Sequence, residues 1–154
     1  EARRLLRDAM GPGATSLPRG EGAFLGRGPA PGAVAVLFPG QGSQSPGMLR
    51  DLVCRFPPAF RAFRDAHRAF ERETGRRLVD LVYPLPAWDA AAKAAQEESL
   101  RATDVAQPAL GAVCLGAWRV LEAFGVSAEM FAGHSYGELV ALAAAGRIDD
   151  DALW

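Results

Sequence analysis

Glu129-Met130-Phe131-Ala132-Gly133-His134-Ser135-Tyr136-Gly137 is the stretch on which the reading of this chain turns. Glu129 to Ala132 is a short strand candidate that runs straight into Gly133-x-Ser135-x-Gly137. An alanine-rich helix is predicted from about Tyr136 to Ala145, closed by Gly146. Strand, sharp turn and helix, in that order, are the context in which G-x-S-x-G reads as a nucleophile elbow. The serine must sit on a strained turn with its hydroxyl projecting into a cleft. Gly133 and Gly137 are small enough for the incoming strand and outgoing helix to approach each other. The helix beginning after Ser135 would aim free backbone N–H groups, and the positive end of its dipole, at a reacting carbonyl. The spacing alone is weak, because a chain rich in glycine and serine produces it by accident. Its competitor is a plain helix start at which Ser135 only caps.

Upstream, Ala33-Val34-Ala35-Val36-Leu37-Phe38 is a continuous apolar run ending at Pro39-Gly40, the pattern of a strand buried on both faces of a parallel sheet. Gly40-Gln41-Gly42-Ser43-Gln44 follows as a loop. Taken alone it reads equally well as a flexible turn. It is no dinucleotide fingerprint, since G-x-G-x-x-G fails before Pro46-Gly47. A loop leaving the C-terminal end of one strand can lie beside an elbow leaving a parallel neighbour, and α/β sheets place ligands in the crevice at those ends. An oxyanion hole there would use the backbone N–H of Gln41 and that of Tyr136, the residue after the serine.

Between the two constellations the sequence predicts helices. One spans about Met48 to Arg55 and is stopped by Pro57-Pro58. The next, about Ala59 to Thr74, sets Phe60, Phe63, His67 and Phe70 on one face and stops at Gly75. His67, on that phenylalanine face, reads as a packed helix residue. A short helix is predicted from Arg77 to Val82, and Asp89 can cap another from Ala90 to Arg101. Gln107-Pro108 resembles an N-cap followed by proline at the first helical position. From there Leu110, Val113, Cys114, Ala117, Trp118, Leu121 and Phe124 repeat at helical spacing up to Gly125, predicting a central amphipathic helix.

Residues 11–32 hold Gly11-Pro12-Gly13, Pro18, Gly20, Gly22, Gly26, Gly28-Pro29 and Pro31-Gly32, a density that breaks helix and strand alike. Residues 1–32 therefore read as an interdomain linker, a short helix and then a Gly/Pro-rich segment, with the folded part at 33–154. The chain has 154 residues, 49% hydrophobic and 23% charged, with a net charge of −1. Those fractions exclude wholesale disorder. The near-neutral balance argues against a nucleic-acid binder, which would need a basic patch to neutralise phosphates. Lys93 is the single lysine among 17 basic residues, and the arginines are scattered. Cys54 and Cys114 fit neither a disulfide framework nor a metal site and read as half-buried thiols in a reducing, cytoplasmic compartment. No apolar run is long enough to span a membrane. Glu1-Ala2-Arg3-Arg4 has neither a start methionine nor a signal region, and Asp149-Asp150-Asp151 resembles a helix cap just before the chain stops. The expectation is an internal fragment of a longer protein.

Phe38-Pro39-Gly40-Gln41-Gly42-Ser43-Gln44, Gln107-Pro108-Ala109-Leu110 and Gly133-His134-Ser135-Tyr136-Gly137-Glu138 occur in this order. In order and separation they closely resemble the N-terminal half of the malonyl-CoA:acyl carrier protein transacylases, the acyltransferase domains of fatty acid and polyketide synthases. The resemblance covers about Ala33 to Trp154, and Tyr136 followed by Glu138-Leu139-Val140-Ala141-Leu142 is closer to polyunsaturated fatty acid and enediyne-type synthases than to the freestanding bacterial enzyme. It implies an α/β fold whose parallel-sheet, hydrolase-like core is cut short here, with a linker like those joining a ketosynthase to an acyltransferase. Ser135 becomes the acyl nucleophile, and Gln41 and Tyr136 become the backbone oxyanion donors. Gln107 and His134 fall at the substrate pocket. His134 is not the base, because neighbouring side chains diverge in a tight turn. Glu138 serves the helix N-terminus electrostatically.

The resemblance further implies ping-pong transfer of a malonyl-type group from acyl-CoA to the phosphopantetheine thiol of an acyl carrier protein. No metal or tightly bound cofactor is implied. Neighbouring synthase domains such as a ketosynthase are the expected partners, with neither nucleic acid nor membrane. The family's base histidine and carboxylate-binding arginine would fall beyond Trp154, so this stretch alone is expected to be catalytically poor or inert and, with apolar faces uncovered, to aggregate or partly unfold. Two rival readings stand beside this one. The first is a serine hydrolase that shares the elbow and sends the acyl group to water. The second is a non-catalytic remnant or docking fragment.

Overall fold

Ala35–Phe38 of the first apolar run form strand β1, and Met130–Gly133 form β2 beside it. The computed structural model describes Arg7 and residues 32–154. The chain divides into two units, Glu1–Gly32 and Ala33–Trp154, and the linker expected over 1–32 lies, apart from Arg7 and Gly32, outside the described residues. The strands pair in parallel, with Ala35 opposite Met130 and Phe38 opposite Gly133. Parallel neighbours need a long crossover. Here it carries helices α1 (Arg50–Arg55), α2 (Pro57–Thr74), α3 (Leu78–Val82), α4 (Ala90–Arg101) and α5 (Thr103–Ala123). After β2 come α6 (Gly137–Ala144) and a 3₁₀ turn, Asp150–Leu153. The class is α/β, as the sequence predicts.

Two apolar clusters share α5. Phe63, Phe70, Leu78, Val82 and Leu100 pack on one side with Val105, Ala109 and Val113. Phe38, Val140, Ala144 and Leu153 pack on the other with Leu115 and Trp118. Helix α5 is therefore buried nearly all round from Ala109 to Val120, which corrects the amphipathic reading. Its close contact with α2 is made at Gly116, where a Cβ would lie 3.1 Å from the Cα of Ala59. At the far end Arg119 donates to Asp150 Oδ1 (2.6 Å), Glu122 Oε2 (2.7 Å) and the Ala143 carbonyl (3.3 Å), tying α5 to the end of α6 and the last turn.

Several local expectations are corrected. Helix α5 starts at Thr103, so Gln107 is no cap and Pro108 lies inside the helix. An interior proline costs about 3 kcal/mol, but the turn before it is held by Val105 and Ala106, which are completely buried. Pro57 and Pro58 open α2 instead of merely ending α1, since the first helical N–H groups need no helical partner. Phe60 is 54% exposed and leaves the face formed by Phe63 and Phe70. Strand β1 is not buried on both faces: Phe38 is covered, while Leu37 is 74% exposed because no described element lies over that side.

Cys54 is exposed, not half-buried, and Cys114 is half-buried, its thiol pushed by burial up to about 11. At pH 8 only about a thousandth of Cys114 is thiolate. A thiol reagent is therefore expected to modify Cys54 promptly and Cys114 at least about 100-fold more slowly, as peptide mapping against time would show. Equal rates would contradict this packing.

Candidate active site

Strand β2 ends at Gly133 and α6 begins at Gly137, which leaves His134, Ser135 and Tyr136 to reverse the chain. The His134 N–H continues the ladder by donating to the Phe38 carbonyl (3.1 Å). Ser135 then takes φ +55°, a left-handed conformation costly for a residue with a Cβ. The turn is closed by Gly137 N–H to the His134 carbonyl and Glu138 N–H to the Ser135 carbonyl, both 2.9 Å. This is the strained elbow the motif requires, and the Ser135 side chain stands exposed.

Three glycines make the crossing possible. A Cβ on Gly133 would overlap the carbonyl of Gly137, and one on Gly137 would lie 2.7 Å from the Pro39 oxygen and closer still to that of Phe38. A Cβ on Gly40 would lie 2.6 Å from the His134 oxygen, 2.7 Å from its Nδ1 and 3.2 Å from Ser135 Cβ. The loop after β1 is thus pressed against the elbow after β2, and Gln41 follows at once. Among the described residues, the backbone N–H groups of Gln41 and Tyr136 make no hydrogen bond. Unpartnered amides next to the serine and next to the glycine pressed against it are groups of the kind that can receive a negative oxygen.

The side chains of these residues face elsewhere. Tyr136 is half-buried; its hydroxyl donates to the Leu153 carbonyl (3.1 Å), and burial pushes its pKa up to about 12. Its ring occupies a notch opposite Gly111, where a Cβ would come within 3.1 Å. The Gln41 side-chain amide donates to Thr103 Oγ1 (3.1 Å) and the Arg101 carbonyl (3.3 Å). Sequence reasoning missed Thr103, because Gln107-Pro108 drew the helix start five residues too late. The His134 imidazole lies over Gly40, and Gln107 sits half-buried on α5 with no hydrogen bond to the elbow among the described residues. His67 is half-buried, with Nε2 3.8 Å from Glu71.

A groove of about 410 Å³ opens beside the loop, between Gln41, Gln44 and Pro46 on one side and Glu97 and Arg101 of α4 on the other; Ser135 lies outside its lining. Among the described residues no cluster of His, Cys, Asp and Glu could hold a metal ion. No helix among the described residues is long and apolar enough to cross a membrane.

Residues 36–153 match the family described as acyl transferase domain. The phenolphthiocerol synthesis polyketide synthase type I Pks15/1 of Mycobacterium bovis is 36% identical over 122 residues, 79% of this chain and 5% of that protein. A solved acyl carrier protein S-malonyltransferase from Vibrio cholerae is 37% identical with a TM-score of 0.62, over 77% of this chain and 35% of that one. A solved complex of a type II polyketide synthase acyl carrier protein with its malonyl-transacylase is matched at 39% identity and a TM-score of 0.62, over 77% and 34%. The chain thus spans about a third of the solved chains, and a far smaller share of the curated synthase. Since the matched stretch runs from inside β1 to the final turn and encloses both the elbow and the loop against it, this chain belongs to the acyl transferase domain family.

Proposed function

We propose that residues 33–154 supply the nucleophile and oxyanion side of an acyltransferase that moves a malonyl-type group from coenzyme A to the phosphopantetheine thiol of an acyl carrier protein, in fatty acid or polyketide biosynthesis. The observation behind it is the contact of Gly40, the residue before Gln41, with His134 and the strained, exposed Ser135. Ser135 Oγ attacks the thioester carbonyl and forms the C–O bond. The carbonyl oxygen takes the negative charge and receives the N–H groups of Gln41 and Tyr136. The C–S bond then breaks, and the coenzyme A thiolate takes the proton the serine gave up. In the second half the carrier thiol attacks the acyl-serine ester and forms the new C–S bond, the ester C–O bond breaks, and the Ser135 oxygen takes the proton that the carrier thiol gives up.

That proton needs a base. His134 and His67 are the two histidines of the chain, and neither is hydrogen-bonded to Ser135. Catalysis therefore belongs to the whole protein, and residues 33–154 alone are expected to acylate poorly. Acyl-CoA enters as a substrate, and these steps call for no resident metal or cofactor. Residues 1–32 would tether this unit to a preceding synthase domain such as a ketosynthase.

The test is the lifetime of the acyl-serine in the whole protein, with and without pantetheine-bearing carrier protein. Discharge at least about tenfold faster with the carrier is expected, because the thiol is the intended acceptor. An acyl-serine lost to water at the same rate either way would make the protein a hydrolase.

A further inference from the structure

Residues 41–46 form the loop that follows the contact of Gly40 with the elbow, and hydrogen bonds tie it to the rest of the fold at both ends. Among the described residues, Ser43 N–H reaches back to the Gly40 carbonyl at 3.4 Å, and Gly42 N–H donates to Gln44 Oε1 at 2.7 Å, both within the loop itself. At the far end the Ser45 carbonyl accepts from Met48 N–H at 3.1 Å, and at the Gln41 end the hydrogen bonds that leave the loop come from the Gln41 side chain, to Thr103 Oγ1 and the Arg101 carbonyl. The Arg101 carbonyl can only accept, so the Gln41 NH₂ group must face this junction. Both acceptors flank Ala102, the single residue between α4 and α5, whose ψ of 134° turns the chain. With Thr103 opening α5, which carries the completely buried Val105 and Ala106 in its first turn, its hydroxyl is an anchor on a rigid element.

We propose that Thr103 is a positioning residue for acyl transfer: it clamps the Gln41 side-chain amide and so holds the Gln41 backbone N–H toward the oxygen that develops charge at Ser135. This role rests on the function proposed above. An oxyanion donor acts through preorganisation, so loosening its mount lowers the rate of the chemical step and leaves ground-state binding nearly unchanged. Thr103 itself is exposed and touches no reacting atom. Thr103→Val keeps the shape and removes the acceptor, whereas Thr103→Ser keeps the acceptor.

Two measurements on the whole protein test it. In hydrogen exchange, the amides of Gly42 and Ser43, the two of this loop that donate hydrogen bonds, are expected to exchange about fivefold faster in Thr103→Val and at the wild-type rate in Thr103→Ser. In single-turnover acylation by malonyl-CoA, Thr103→Val is expected to lower the maximal rate about fivefold or more, with half-saturation within about twofold and with rescue by Thr103→Ser. In a Gln41→Leu background, Thr103→Val should cost nothing further. An unchanged loop exchange rate in Thr103→Val would overturn the clamp itself. A loosened loop that acylates at the wild-type rate would overturn the positioning role. Wild-type protein that takes up no malonyl group would instead sink the proposed function, and the positioning role with it, while the exchange result still judged the clamp.

Discussion

Gly133→Ala is expected to abolish acylation and to destabilise the whole protein by about 3 kcal/mol or more, the upper range for forcing atoms into a packed site. The reason is what the new methyl would meet. It would overlap the carbonyl group of Gly137 and press on the Glu138 nitrogen, all backbone atoms held by the elbow's own hydrogen bonds. A side chain can rotate aside, but a closed turn cannot. Gly137→Ala should behave alike, since its Cβ would lie 2.7 Å from the Pro39 carbonyl oxygen and nearer still to that of Phe38. Either change pushes β2 and α6 apart, or drives the elbow off β1, and so separates Ser135 from the loop amides. Denaturation midpoints of the two variants, read beside their acylation rates, check this. A Gly133→Ala protein with a wild-type midpoint would show that strand and helix do not cross as described.

Ser135→Gly is expected to abolish acylation and yet raise stability by about 0.5–1 kcal/mol relative to Ser135→Ala. Both variants lose the nucleophile. They differ in the backbone, because Ser135 holds φ +55°, where a Cβ is penalised by about 1–2 kcal/mol and glycine is not. Part of that gain is returned through the greater entropy of glycine in the unfolded chain. The opposite order, with alanine the more stable, would mean that the elbow stores no strain at position 135. Strain held by the surrounding hydrogen bonds is what fixes an exposed hydroxyl in place, so this comparison reads the preorganisation directly.

Much of the site was legible because its residues are needed for geometry as well as chemistry. Gly133, Ser135 and Gly137 carry the crossing of strand and helix, and Gly40 carries the approach of the second loop, so the motifs together with the strands before them point to one place. The parallel pairing of β1 with β2 was readable for the same reason. What escaped the sequence was settled by tertiary burial. The start of α5 at Thr103 depends on Val105 and Ala106 disappearing into a core that local propensity does not see, while Gln107-Pro108 gives a strong but misleading local signal. With the helix start misplaced, Thr103 was invisible as a partner for Gln41, which lies 62 residues away. The all-round burial of α5 was missed because its two clusters lie on opposite faces, each supplied by elements distant in the chain. The exposure of Leu37 follows from which neighbours a strand has, and an apolar run does not encode that by itself.

The central claim is that the serine at the elbow carries the acyl group. Its most direct test is to expose the whole protein to malonyl-CoA, quench it in acid and map the acylated peptide by mass spectrometry. One malonyl group on Ser135, absent from Ser135→Ala, is the predicted result. Malonyl carried on another residue, or a carrier protein loaded equally well by Ser135→Ala, would contradict it.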